Sequence, residues 1–163
     1  MSHVNLILEQ WGRVRPDLDV TPMGLTGRLK RIARIIEREM EPVFAKHGLN
    51  LASFDVLATL LRSGEPYRLS PGELIANSMV TSGTMTNRID QLVKAELVER
   101  IKNPEDGRSV HIALTQRGKG VIDRALEDHV QNLHRLTCGL DEPVFAELDR
   151  LLEQYLGTLE SDD

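Results

Sequence analysis

The residues best suited to chemistry lie between Val80 and Thr115, in VTSGTMTNRIDQLVKAELVERIKNPEDGRSVHIALT. Over Thr81 to Ala95, the apolar residues Met85, Ile89, Leu92 and Val93 recur at helical spacing, which predicts a helix with one buried face. The face turned about 180° from Ile89 carries Gly83, Thr84, Asn87, Gln91 and Lys94, with Ser82 at the helix start. These side chains are small or hydrogen-bonding, with a cation at the end. That suits entry into a DNA major groove, where base edges present donors and acceptors. Two β-prone runs follow, Leu97–Lys102 and Ser109–Leu114, joined by the turn-forming Asn103-Pro104-Glu105-Asp106-Gly107-Arg108. Arg108 at such a tip can reach a minor groove, whose negative potential favours Arg, and Asp106 can fix the Arg108 fork. The alternative for this tip is a solvated turn.

No Ser/His/Asp order, Gly-rich phosphate loop or paired carboxylates points to an enzyme. His129 and His134 do not share a helical face well, and His3, His47 and His111 lie in separate elements. No metal-ligand spacing is present, so neither a metal nor a cofactor is expected. The one cysteine, Cys138, excludes an intramolecular disulfide framework.

VTSGTMTNRIDQLVKAELVER followed by NPEDGRSVHIALTQRG resembles the MarR family of bacterial transcription regulators. The most specific part is Asp106-Gly107-Arg108-Ser109 followed by Leu114-Thr115-x-x-Gly118, and the resemblance runs from roughly Gly24 to Leu159. It implies a winged helix-turn-helix whose N- and C-terminal helices form a homodimer, and a repressor acting on a palindromic operator. One departure is Glu96, which stands where the family usually has a left-handed Gly at the end of the recognition helix. A non-Gly residue there costs up to about 1 kcal/mol.

A finer resemblance concerns the effector. A urate-responsive subgroup of the family has an extra N-terminal helix carrying a Trp. It also has an Asp on the helix before the helix-turn-helix, an Arg in the recognition helix and an Arg in the first wing strand. This chain has Trp11, Asp55, Arg88 and Arg100 at those places. The set fits a planar anion: the indole stacks on it, two guanidinium groups neutralise it, and a carboxylate orients or repels it. Taken singly, Trp11 reads as a core anchor, Asp55 as a first-turn acid and the two arginines as phosphate contacts or surface charges. A phenolic or other aromatic carboxylate stays open as effector. So does an oxidant, although the family's peroxide sensors carry their cysteine in the N-terminal helical region, where this chain has none.

The other elements must position these residues. The chain has 163 residues, 40% hydrophobic, which predicts one globular domain with a true core. No apolar run reaches membrane-spanning length and the N-terminus does not read as a signal peptide, so a cytoplasmic protein is expected. The net charge of −5 is unevenly placed. Residues 21–47 carry +3, residues 81–110 are neutral, and residues 116–163 carry −6. The expected attraction to phosphates is therefore moderate. A winged-helix module that binds protein and not DNA remains the alternative reading.

The expected architecture is mainly α with a small β-wing. Residues 1–20 supply the extra helix (3–14) and a loop, and residues 21–161 the main domain. Within that domain lie a helix-turn-helix at about 71–95, a wing at about 97–114, and dimerisation helices at about 21–47 and 116–160. Pro22 opens the helix 21–46, and Pro42 is expected to kink or interrupt it. Phe54, Leu57, Ala58 and Leu61 are expected to be buried on 51–62, and Ile122, Leu126, Val130 and Leu133 on 116–136. Arg68-Leu69-Ser70 is a candidate third strand, and Ser70-Pro71-Gly72-Glu73 a capping box. The long helices carry more apolar positions than one small reader needs. They either enlarge a monomer core or interleave with a twin chain.

Overall fold

The computed structural model describes residues 2–79, 82–102 and 109–161, with backbone alone for residues 82–84. Among the described residues, seven helices and three strands follow in the order α1 (His3–Val14), α2 (Thr21–Lys46), α3 (Leu51–Arg62), β1 (Arg68–Leu69), α4 (Pro71–Asn77), α5 (Ser82–Lys94), β2 (Val98–Lys102), β3 (Val110–Leu114), α6 (Gln116–Thr137) and α7 (Glu142–Glu160). The architecture is the expected one: mainly helical, with a three-stranded antiparallel wing in the order β1-β3-β2. β3 pairs Arg68 with Ala113 on one side and Arg100 with Ile112 on the other.

Side-chain caps set the helix starts by satisfying amide groups that the first turn leaves without a partner. Ser2, Asn50, Thr115 and Asp141 accept from the amides of Asn5, Ser53, Gly118 and Val144. Ser70 and Glu73 form the reciprocal capping box at α4, with bonds of 3.2 and 2.8 Å. α2 runs on through Pro42, so the expected interruption does not occur.

Leu57, Leu60, Leu74, Met85, Ile112 and Ile122 are fully buried, and they tie α3, α4, α5, the wing and α6 into one core. Phe44 stacks on Phe54 at 4.3 Å, and the His129 ring lies 5.2 and 4.9 Å from the two. On α3, Phe54 and Leu57 are buried, while Ala58 and Leu61 pack half-buried at the rim of the core.

α6 corrects the expected stripe. Leu126 and Val130 are exposed, at 37% and 43%, and Leu133 is half-buried. The inward face is Ile122, Ala125, His129 and Asn132, one step around the helix, because α6 packs on both α2 and α3. Asn132 is accommodated by donating its amide to the Glu39 carbonyl at 3.1 Å. Ala113 is buried because β3 is the central strand, and Val110 is 40% exposed at its start.

Three features join α5, the wing and α6. Glu96 takes the left-handed conformation after α5, with φ 59°. The Thr115 hydroxyl donates to the Glu96 carbonyl at 2.7 Å and accepts from the Gly118 amide at 2.9 Å. A Cβ on Gly118 would stand 1.8 Å from the Leu97 carbonyl oxygen, so only glycine fits there.

Candidate nucleic-acid interface

α5 buries Met85, Ile89 and Leu92, with Val93 half-buried, against α3 and the wing. This is the predicted stripe, and the apolar spacing alone fixes which face turns outward. Asn87, Gln91 and Lys94 are exposed on the opposite side, and Thr86 is exposed at the edge of the buried stripe, about 60° around the helix from Ile89. Ser82, Gly83 and Thr84 form the first turn of α5, and their side chains lie outside the described residues, as do Asp106 and Arg108. The helix-turn-helix thus consists of α4, its capping box and α5, with the wing sheet beside it.

Arg88 lies on the flank of α5, half-buried. Its Nη1 donates to the Gln91 Oε1 at 2.8 Å and to the Ser53 hydroxyl at 3.3 Å. Its Nε–H is buried and has no acceptor among the described residues. A recess of about 270 Å³ opens here, lined by Asn50, Ser53, Arg88, Gln91 and Leu97. Asp55 is buried on α3, and its Oδ2 accepts from the Met79 amide at 2.8 Å, so this carboxylate anchors the turn that leads into α5. Burial and that anchor replace the simple first-turn acid as the account of Asp55.

Arg100 pairs with Asp90 at 2.5 Å, tying β2 to α5. Trp11 is 40% exposed on α1, which packs on α2. The structure therefore brings Arg88 to the end of α3 that carries Ser53 and Asp55. It places Arg100 with Asp90, and Trp11 on the outer helix. Sequence alone does not mark Ser53 and Asp90 as partners, since a serine and an aspartate within helices give no signal before their contacts are known.

The electrostatics are modest, as the charge count implies. The Arg100–Asp90 and Arg117–Glu96 pairs neutralise two of the bases around α5 and the wing. Lys94 and Lys102 are in no ion pair among the described residues. No group of three or more His, Cys, Asp and Glu among the described residues could hold a metal, and no helix there is long and apolar enough to cross a membrane. Cys138 is exposed at the end of α6.

The apolar faces that remain open are on the long helices. None of α7 is buried, and Leu148, Leu151, Leu152 and Leu156 are 40–54% exposed. Three of these leucines, with Leu25, Ile32 and Tyr155, border a recess of about 570 Å³ between α2 and α7.

Comparison with known proteins gives concordant results. The model of the MarR family matches residues 49–110. The HTH-type transcriptional regulator PecS of Dickeya dadantii (strain 3937) is 40% identical over 149 residues, covering 91% of this chain and 90% of that protein. The HTH-type transcriptional repressor YetL of Bacillus subtilis (strain 168) is 33% identical, covering 72% of this chain and 70% of that protein. The crystal structure of a mutant MarR from E. coli, complexed with operator DNA, superposes with a TM-score of 0.72. It shares 24% identity and covers 90% of this chain and 97% of that one.

Proposed function

The chain belongs to the MarR family of DNA-binding transcriptional regulators, and from that premise we propose that it is a dimeric repressor released from a palindromic operator by a small planar anion such as urate. Asn87, Gln91 and Lys94 are the proposed readers of the major groove, together with the first turn at Ser82, Gly83 and Thr84. Arg108, with Asp106, is the proposed minor-groove contact. The match to transcription regulators weighs against a module that binds protein alone.

The proposed dimer uses the open apolar faces of α2 and α7, which a lone chain leaves in water. A twofold pair fits two half-sites about one helical turn apart. The proposed effector set is Trp11, Asp55, Arg88 and Arg100, with Arg88 as the moving part. A phenolic acid is the second candidate, because the same two guanidinium groups and one indole suit any ring-bearing anion.

The observation that carries this reading is the bridge made by Arg88. Its guanidinium joins Ser53 on α3 to Gln91 on the exposed face of α5, and among the described residues its buried Nε–H has no acceptor. An anion in the adjoining recess would compete for that guanidinium and set negative charge near Asp55, which holds the Met79 amide. Both attachments of the recognition helix would be disturbed together. Release requires that the anion favour the shifted state, since equal affinity for both states shifts nothing. A coupling of about 1–3 kcal/mol is ordinary for such a device.

The test is a titration of urate, and separately of a phenolic acid, into operator-bound protein. Arg88→Ala should blunt release while some DNA binding survives, and Trp11→Phe should weaken the effector with little change in operator affinity. If the Trp11, Asp55, Arg88 and Arg100 variants all respond like the parent, the effector site lies elsewhere.

A further inference from the structure

We infer that Arg88 sets which base Gln91 reads, by occupying the acceptor half of its amide and leaving a donor-rich edge that selects guanine over adenine. The inference rests on the proposed reading of Gln91 as a base-facing residue. Gln91 is exposed on the outer face of α5, and its Oε1 accepts from Arg88 Nη1 at 2.8 Å. A guanidinium has donors only, so the amide oxygen is the atom that faces it and the Nε2 amino group is turned away. The guanidinium is also held by the Ser53 hydroxyl at 3.3 Å, so the bridge is fixed at both ends.

An unencumbered glutamine recognises adenine with both halves of its amide, the oxygen accepting from N6 and the nitrogen donating to N7. Here the oxygen already has a cationic donor against it. An adenine amino group approaching the same oxygen meets that positive charge. Guanine presents N7 and O6, two acceptors and no donor, which suits an amino group standing beside a guanidinium. Asn87, one turn earlier on the same face, has no bond to Arg88 among the described residues. The effect is therefore assigned to the Gln91 position alone.

The experiment is selection of bound sequences from a pool of randomised duplexes, using the full-length protein, followed by competition of the four bases at each selected position. Gln91→Ala locates the position that Gln91 reads. The parent should favour guanine there over adenine by about tenfold, within the range for one specific contact. Arg88→Met, which keeps the aliphatic bulk and loses the donor, should move the preference to adenine. Arg88→Lys, which restores a cationic donor, should return it toward guanine. A position sensitive to Gln91→Ala but unchanged by Arg88→Met overturns the inference and leaves Gln91 a reader. If Gln91→Ala alters no position, the reading of Gln91 itself fails, and the inference with it. Should Arg88→Met bind no duplex, the Gln91 side-chain amide resonances of the free protein decide. They must shift on substitution if the bridge exists, and unchanged resonances overturn it.

Discussion

At the scale of single residues, the most constrained position is Gly118. Its neighbour is a backbone carbonyl that cannot swing aside, with 1.8 Å available to a methyl group. Gly118→Ala should therefore cost about 3 kcal/mol, at the upper end of overpacking effects. A urea melt measures this, and a loss below about 1 kcal/mol would show that α6 can slide away from the wing. The sequence marked Gly118 only as part of a resemblance; the Leu97 carbonyl supplies its physical reason. Asp55 shows the opposite limit. Its position on α3 was legible, but its bond to the Met79 amide joins residues 24 positions apart, and nothing local in the sequence announces it. Ser53 was invisible for the same reason, since its role comes from Arg88 on another helix.

At the scale of elements, α5 was legible because its hydrophobic residues alone define the buried face. α6 was not, because Leu126 and Val130 outweigh His129 and Asn132 in hydropathy while the packing chooses the latter pair. His129 is admitted by ring contacts with Phe44 and Phe54, and Asn132 by its bond to α2. This choice makes the α2–α3–α6 junction sensitive to acid. Burial pushes the His129 pKa below its ordinary value of 6.5, so the unfolded chain takes up that proton first. The stabilisation is whole above about pH 6.5 and is lost as the pH falls below it. Asp128 behaves differently in that window. Its hydrogen bonds, from Lys46 first and then His47, hold its pKa below the ordinary 3.8, so its contribution persists until the medium is more acidic still. Urea midpoints should fall as the pH drops below about 6.5 for the parent, and His129→Phe should flatten that fall. An equal slope in both proteins would assign the acid sensitivity to other groups.

At the scale of the whole molecule, the order and bounds of the helices were readable, but the sequence left open whether the long helices thicken one core or meet a twin. The structure leaves α7 without a buried residue and sets its leucines beside the open face of α2. Placing charge there should test the proposed pairing directly. Leu148→Glu combined with Leu152→Glu should give a monomer in sedimentation, with operator affinity down by about tenfold or more once two readers no longer bind together. A dimer that survives both changes would move the interface off α7. The close seat of α6 on Leu97 also gives the molecule a mechanical property. With 22 residues, α6 is a rod about 33 Å long, pinned at one end to the wing and packed through its C-terminal half against α2. A swing of only about 5° carries the pinned end through about 3 Å, close to one base-pair step on DNA. Wing and recognition helix share their core with α6 and would travel with it as a single arm, so in the proposed dimer a small tilt of that whole unit is large enough to put the two arms out of step with their target.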